Sequence, residues 1–122
     1  MLPVRILLVD DDPAYLRLLR LLLRRRGFEV LTADSGEEAL AFAAAADVAM
    51  VDMVMTGMDG LETIPLLRLH NPELKCIACS GTPEDYFREA LDALGVEVFL
   101  SKPFGVEQAE AAIQAVLGHV AA

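Results

Sequence analysis

The sequence predicts an α/β domain in which helices cover both faces of one parallel sheet. Short apolar runs alternate with longer amphipathic stretches along the 122 residues, which is typical of repeated strand-helix units. Hydrophobic residues make up 55% of the chain, enough for strands that are buried on both faces. Right-handed crossovers within a single sheet then favour a doubly wound open fold.

The first half of the chain predicts three strands and two helices. A strand at residues 5–9 runs into three aspartates, and Asp12 can cap the next helix, with Pro13 at its first position and Gly27 just past its end. Ser35 and Glu38 have the spacing of a capping box. The remaining elements are a second strand at residues 28–33, an alanine-rich helix at 36–46, and a third strand at 48–51 that stops at Asp52.

The second half predicts two more strands and three more helices. A helix at about 61–70 ends at an Asn-Pro pair, and a fourth strand at 74–79 stops at Ser80. Thr82, Pro83 and Asp85 are expected to cap a helix that runs to about residue 94, where Gly95 stops it. A fifth strand at 96–100 and a final helix at 106–117 complete the pattern, and we expect residues 1–122 to form a single domain.

Charge and hydropathy exclude some classes of function. Ten Lys and Arg against nineteen Asp and Glu give a formal net charge of -9, which argues against direct nucleic-acid binding and is compatible with a divalent cation or a basic protein surface. The basic cluster at residues 24–26 closes a helix, where it complements the helix dipole. No apolar run approaches the length of a membrane span, and nothing at the start has the layout of a signal peptide. We expect a cytoplasmic protein.

Cysteine and histidine do not indicate a metal or redox site. Cys76 and Cys79 form a C-x-x-C pattern, but three residues apart on a strand they point to opposite faces and their sulfur atoms do not converge. His70 near a helix end and His119 near the tail are expected at the surface.

The informative polar residues come where apolar runs end. Because the carboxyl ends of parallel strands form one edge of an open sheet, where the ligand crevice lies, these residues are expected to converge. Clustered carboxylates require a cation, and oxygen ligands of this kind favour Mg2+. Chemistry alone leaves open whether the site only binds metal or also attacks a phosphoryl group, with a lysine that neutralises its oxygens. The residues are Asp10, Asp11, Asp52, Ser80 and Lys102.

Four segments resemble response-regulator receiver domains. The resemblance covers essentially the whole chain, and the segments fall in order at suitable separations. They are residues 6–13 (ILLVDDDP), residues 51–60 (VDMVMTGMDG), Ser80-Gly81 after the fourth strand, and residues 99–104 (FLSKPF). The resemblance implies a flavodoxin-like fold with strand order 2-1-3-4-5. It implies phosphorylation by a histidine kinase or phosphotransfer protein and control of an output domain or downstream protein through the α4-β5-α5 face, with a homodimer as a further possibility.

The resemblance also assigns roles to individual positions. Asp52 would be the phosphoacceptor and would hold Mg2+ together with Asp10 and Asp11. The remaining roles are the Val54 backbone carbonyl as a metal ligand, Lys102 and Ser80 as phosphoryl-binding groups, Phe99 as the aromatic that turns inward, and a cis peptide bond before Pro103.

The chain departs from the family pattern at a few positions. Thr56 stands where proline is usual, which implies a less rigid loop. Ser80 stands where threonine is frequent, which implies altered switching kinetics. Val54 and Thr82 occupy positions that tune phosphoryl lifetime, and an apolar Val54 offers no group to orient the hydrolytic water. The resemblance therefore implies slow self-dephosphorylation.

Two alternative functions are weighed against this one. A phosphatase of the haloacid-dehalogenase type would use Asp10 as nucleophile and Asp12 as acid, but no acidic pair follows Lys102 as that family requires. A receiver-like scaffold that binds partners without phosphorylation is the second alternative, and the presence of every key residue type weighs against it.

Overall fold

A computed structural model describes residues 2–118 as one five-stranded sheet with helices on both faces. The strands are β1 (Arg5–Val9), β2 (Glu29–Ala33), β3 (Val48–Asp52), β4 (Lys75–Ser80) and β5 (Phe99–Ser101). The helices are α1 (Pro13–Arg25), α2 (Gly36–Ala39), α3 (Gly60–His70), α4 (Glu84–Ala93) and α5 (Val106–Val116), and a 3-10 helix (Leu40–Ala45) continues α2. Every strand pair is parallel and the order is β2-β1-β3-β4-β5. The predicted doubly wound fold and its strand order are confirmed.

The sheet separates two hydrophobic layers, because successive side chains of a strand point to opposite faces. In β1, Leu7 and Val9 belong to one layer, while Ile6 and Leu8 belong to the other. Cys76 and Cys79 likewise lie in different layers and both are free thiols. The prediction that their sulfur atoms do not converge is confirmed.

The ends of α1 follow the sequence pattern. The Asp12 carboxylate accepts hydrogen bonds from the backbone N–H groups of Ala14 and Tyr15, which are unpaired donors at a helix start. Gly27 follows the helix with a φ of 94°, a conformation that glycine adopts without steric cost. This fixed start directs the first turn of α1 toward the end of β1.

Capping of α2 and α3 only partly matches the prediction. Ser35 accepts from the Glu38 amide at 3.0 Å, but the Glu38 carboxylate accepts from the Asp34 amide and not from that of Ser35. A complete capping box forms instead at Asp59 and Glu62, at the start of α3. Asp59 and Glu62 have the same spacing in the sequence as Ser35 and Glu38.

Two predicted elements change in the structure. The helix expected at residues 36–46 is α-helical only to Ala39 and then tightens to a 3-10 helix, where the side-chain amide of Asn71 donates to the carbonyl oxygens of Ala43 and Ala46. The strand expected at 96–100 is Phe99–Ser101. Val96 instead completes the end of α4, because its N–H donates to Leu91 and its carbonyl accepts from Arg88.

Contrary to the prediction, Thr82 does not cap α4. The N-cap residue is Pro83, and no side chain caps this helix. Because the Thr82 amide donates to Ser80 Oγ at 3.0 Å, Thr82 belongs to the turn after β4.

Two further features concern the surface. Within residues 2–118, no helix combines the length and apolar character that a membrane crossing requires. His70 is exposed as expected, with Nδ1 3.0 Å from the Leu66 carbonyl oxygen, while His119 lies outside the described residues.

Candidate functional site

The polar residues that follow the strands lie along the carboxyl edge of the sheet. Asp10 follows β1, Asp52 ends β3, Ser80 ends β4 and Lys102 follows β5. All of these except Lys102 are buried, and the Lys102 backbone N–H donates to the Ser80 carbonyl at 2.8 Å. Residues from four strands thus meet at one edge, as an open α/β sheet requires.

Three carboxylates form the centre of the site. Single oxygens of Asp10, Asp11 and Asp52 lie within 4.8 Å of one another. Lys102 Nζ lies 3.1 Å from Asp52 Oδ2 and also donates to Asp10 Oδ2. The third aspartate of the sequence run, Asp12, is occupied as the cap of α1. One ammonium therefore contacts two of the three carboxylates.

The electrostatics of this cluster favour a further cation. Burial raises the pKa of Asp52, and the charge of Asp10 raises it further, while the Val54 amide and Lys102 oppose the shift. Burial lowers the pKa of Lys102, but its hydrogen bonds to Asp10 and Asp52 and their charges outweigh burial and raise it. Lys102 therefore stays charged, and Asp52 is a carboxylate whose ionisation is disfavoured.

The donor set fits Mg2+. Three carboxylate oxygens within one small cluster are hard ligands of the type that Mg2+ selects. Burial, and to a lesser extent the charge of Asp10, raises the pKa of Asp52, and a bound cation would favour its ionised form. Asp10, Asp11 and Asp52 are thus the residues suited to hold such an ion.

The loop after β3 is fastened to the cluster at two points. The Val54 amide donates to Asp52 Oδ1 at 3.1 Å, while Val54 as a residue is 59% exposed. Thr56 donates to Asp11 Oδ2 through its backbone N–H at 3.0 Å and through its hydroxyl at 3.4 Å. Proline, which has no N–H, could make neither bond. Thr56, which was expected to make the loop less rigid, therefore holds the loop to Asp11 by hydrogen bonds.

The remaining predicted residues surround this centre. Ser80 Oγ accepts from the Thr82 amide, which leaves its own proton free to donate. Phe99 is partly buried and packs on Phe87, with ring centroids 6.2 Å apart. The Lys102–Pro103 peptide bond is cis, the geometry that the resemblance implied.

Tyr15 is a member of the site that the sequence did not identify. Lys102 Nζ lies 4.9 Å from the centroid of its ring, and Phe104 meets that ring edge-on at 6.0 Å. Burial raises the pKa of Tyr15, with further contributions from Cys79 and Asp10, so the phenol is neutral at physiological pH. The only signal in the sequence was an aromatic residue in the first turn of α1.

Comparisons with known proteins agree with this geometry. Residues 6–114 match the family model described as the response regulator receiver domain. Response regulator MprA of Mycolicibacterium vanbaalenii is 38% identical over 119 residues, which cover 95% of this chain and 51% of that protein. The chain spans about half the length of the curated relatives it matches.

Solved structures share the fold, and two of them contain ligands that bear on the site. The chemotaxis protein CheY4 of Vibrio cholerae has a TM-score of 0.88 at 28% identity, with 94% of this chain and 99% of that chain covered. A Burkholderia pseudomallei response regulator with a phosphorylated aspartic acid and a calcium ion has a TM-score of 0.83 at 28% identity, with 91% and 66% covered.

A third structure comes from Thermotoga maritima. Its response regulator TrrA, in complex with Mg2+-BeF, has a TM-score of 0.79 at 30% identity, with 93% of this chain and 98% of that chain covered. The family match covers most of the chain, and the fold and the acidic cluster agree with it. The chain therefore belongs to the response regulator receiver domain family.

Proposed function

We propose that Asp52 accepts a phosphoryl group in a reaction that depends on Mg2+. The observation that carries the proposal is the grouping of Asp52 with Asp10, Asp11 and Lys102 at the carboxyl edge of the sheet. The phosphorylated aspartic acid of the Burkholderia relative and the Mg2+-BeF complex of TrrA support it. In this proposal residues 1–122 act as one receiver domain.

The residues of the chain divide the work of phosphoryl transfer. A carboxylate oxygen of Asp52 attacks phosphorus and forms a P–O bond, while the bond from phosphorus to the donor atom breaks and its electron pair leaves with the donor. Mg2+ held by Asp10, Asp11, Asp52 and the Val54 carbonyl oxygen would neutralise negative charge on the phosphoryl oxygens. Lys102 donates to another phosphoryl oxygen, and the free Ser80 proton donates to a third.

The raised pKa of Asp52 bears on this chemistry. A protonated acid is not a nucleophile, so the acceptor must be kept ionised during attack. The Val54 amide and the Lys102 ammonium both favour the ionised form. These two groups therefore maintain the reactive state of Asp52 against the burial that opposes it.

A donor of the phosphoryl group and an output complete the proposed function. We infer that the donor is a histidine kinase or a histidine phosphotransfer protein, as is general for two-component signalling. Phosphorylation would shift Phe99 and Ser80 between two packings and change the surface of α4, β5 and α5, which an output domain, a downstream protein or a second copy of the chain would read. The contact between Phe99 and Phe87 supports a link from β5 to α4.

Val54 makes slow self-dephosphorylation the expected behaviour. Val54 lies two residues after Asp52 and is 59% exposed, but its side chain offers no polar group to orient a water molecule against the phosphoryl group. Val54→Asn is expected to shorten the half-life of the phosphorylated chain, measured by loss of the phosphoryl mass over time. An unchanged half-life would contradict this interpretation.

The test of the proposed function is intact-mass measurement after incubation with Mg2+ and acetyl phosphate. We expect the mass of one phosphoryl group to be added to the parent chain and to be missing in Asp52→Asn and in the presence of EDTA. Asp12→Asn is the matched control, because it removes a neighbouring charge and keeps a capping side chain. No gain in the folded parent chain would favour the scaffold alternative, which predicts Mg2+-independent partner binding that Asp52→Ala leaves unchanged.

A further inference from the structure

The ammonium group of Lys102 has two kinds of neighbour. On one side it donates to the carboxylates of Asp10 and Asp52. On another it lies 4.9 Å from the centroid of the Tyr15 ring, within the distance of about 6 Å at which a cation is attracted to an aromatic face. The same four residues, with Phe104, are among those that line one small cavity at the carboxyl edge.

The ring of Tyr15, and not its hydroxyl, makes this contact. The hydroxyl oxygen is buried and has no hydrogen-bond partner among the described residues. The ring is itself fixed, because Phe104 packs edge-on against it at an interplanar angle of 90°. Phe104 is two residues from Lys102, so the loop that carries the ammonium also holds the ring against it.

Lys102 needs a neighbour of this kind because its carboxylate partners have a second task. In the proposed function Asp10 and Asp52 hold a divalent cation, which repels an ammonium nearby. The attraction of a neutral aromatic face does not depend on these carboxylates. A lysine side chain loses much rotamer freedom when it is held in one position, and the ring opposes its escape toward water, to which the Lys102 side chain is 23% exposed.

We propose that Tyr15 is a positioning residue that holds the Lys102 ammonium toward the phosphoryl group on Asp52 through the face of its ring. The proposal rests on the proposed phosphorylation of Asp52 and adds a residue to that site. It requires an aromatic ring at position 15 and does not require the hydroxyl.

Two substitutions at position 15 separate the ring from its hydroxyl. Tyr15→Phe retains the ring, and the rate constant for phosphorylation by acetyl phosphate is expected to stay within about twofold of the parent. Tyr15→Leu retains an apolar side chain without a ring, and the same rate constant is expected to fall by about twofold to thirtyfold, the range set by measured cation–π attractions. Tyr15→Met takes the place of Tyr15→Leu if the leucine variant does not fold, as judged by its thermal unfolding.

A spectroscopic measurement tests the contact without phosphorylation. Protons next to the Lys102 ammonium lie close to an aromatic ring, so their NMR resonances are expected upfield of ordinary lysine values in the parent and in Tyr15→Phe. The displacement is expected to disappear in Tyr15→Leu. A role limited to packing would change thermal stability in Tyr15→Leu without the paired loss of the NMR displacement and of the rate.

The possible outcomes are distinct. A parent chain that takes up no phosphoryl group would overturn the proposed function and this inference together. A parent that is phosphorylated as fast as Tyr15→Leu would overturn the role of Tyr15 alone. Equal slowing in Tyr15→Leu and Tyr15→Phe would also overturn it, because the ring would then not be the operative group. Slowing in Tyr15→Leu alone, with loss of the Lys102 displacement, would establish it.

Discussion

Replacement of Asp52 by asparagine is expected to stabilise the fold in the absence of divalent cations. Asp52 lies with Asp10 and Asp11 in a cluster whose oxygens are within 4.8 Å of one another. Two charges at that separation repel by about 3.5 kcal/mol at an effective dielectric constant near 20. Lys102 at 3.1 Å attracts Asp52 by about 5 kcal/mol on the same scale.

The balance of these terms sets the size of the effect. Burial contributes most to the cost of the charge on Asp52. Repulsion from the other two carboxylates is largely offset by attraction to Lys102, because solvent screens the exposed Asp11. We therefore expect Asp52→Asn to raise the free energy of unfolding by about 1–2 kcal/mol. For a domain of this size the corresponding increase in Tm is about 4–8 °C.

Urea unfolding in EDTA and in Mg2+ is the assay. In the proposed function Mg2+ binds the folded parent and would therefore stabilise it, and Asp52→Asn lacks one of the expected ligands. The advantage of the variant in EDTA should therefore shrink or reverse as Mg2+ is added. Asp12→Asn is the control, because it removes one charge from the adjacent cap of α1 and not from the cluster.

The difference in free energy of unfolding between Asp52→Asn and the parent depends on pH because the pKa of Asp52 is raised. A carboxyl group with a raised pKa in the folded state binds its proton more tightly there than in the unfolded chain. Its contribution to stability is present below the unfolded-state pKa and is lost as the pH rises through the folded-state pKa. The advantage of Asp52→Asn over the parent should therefore grow with pH through this window. A variant that is less stable than the parent in EDTA at neutral pH would refute this reasoning.

Three further predictions concern the loops of the site. Gly60→Ala places a Cβ 2.6 Å from the Asp52 carbonyl oxygen and is expected to lower the free energy of unfolding by about 2 kcal/mol or more. In the control Gly81→Ala the new Cβ meets nothing within 4 Å. The free energy of unfolding of this control, measured by the same urea titration, should change by less than about 0.5 kcal/mol. Thr56→Pro removes the 3.0 Å hydrogen bond to Asp11 and is expected to cost about 1 kcal/mol, while Thr56→Val removes only the longer hydroxyl contact and should be nearly neutral. Equal costs for the two Thr56 variants would show that the backbone bond does not matter. Lys102→Gln is expected to tighten Mg2+ binding, measured by titration calorimetry, because the ammonium no longer competes for Asp10; weaker binding would contradict that competition.

The sequence predicted the fold where local pattern and tertiary context agree. Residues 5–9 form β1 as expected, because an apolar run that ends in aspartates has one compatible place in a buried parallel sheet. The alanine-rich segment at 36–46 was assigned to the right place with the wrong geometry. Its last carbonyl groups bond to Asn71, which is 25 and 28 residues away from them, and no periodicity within the segment can reveal such a partner.

The candidate site also contains residues whose placement the sequence predicted and residues whose contacts it did not. Convergence of Asp10 and Asp52 follows from the topology of an open parallel sheet and needs no side-chain detail. The bonds from Thr56 to Asp11 join residues 45 positions apart, and they depend on how one loop turns relative to another. The contact between Tyr15 and Lys102 joins the start of α1 to the loop after β5, and a helix pattern marks Tyr15 only as an aromatic of the first turn. Roles that depend on sheet topology were therefore predictable, while roles that depend on loop geometry were not.

The position of Lys102 connects these observations. Its ammonium compensates part of the negative charge at Asp10 and Asp52, and the same ammonium is needed by a phosphoryl group in the proposed reaction. Its removal would therefore relieve competition with a cation and also take away a group that neutralises the phosphoryl oxygens. Since these effects have opposite signs, cation affinity and phosphorylation rate should separate in Lys102→Gln, whereas a merely unfolded site would lower both. The ring of Tyr15 attracts the ammonium without engaging either carboxylate. It therefore contributes to holding Lys102 both when the ammonium pairs with Asp10 and Asp52 and when it pairs with a phosphoryl group.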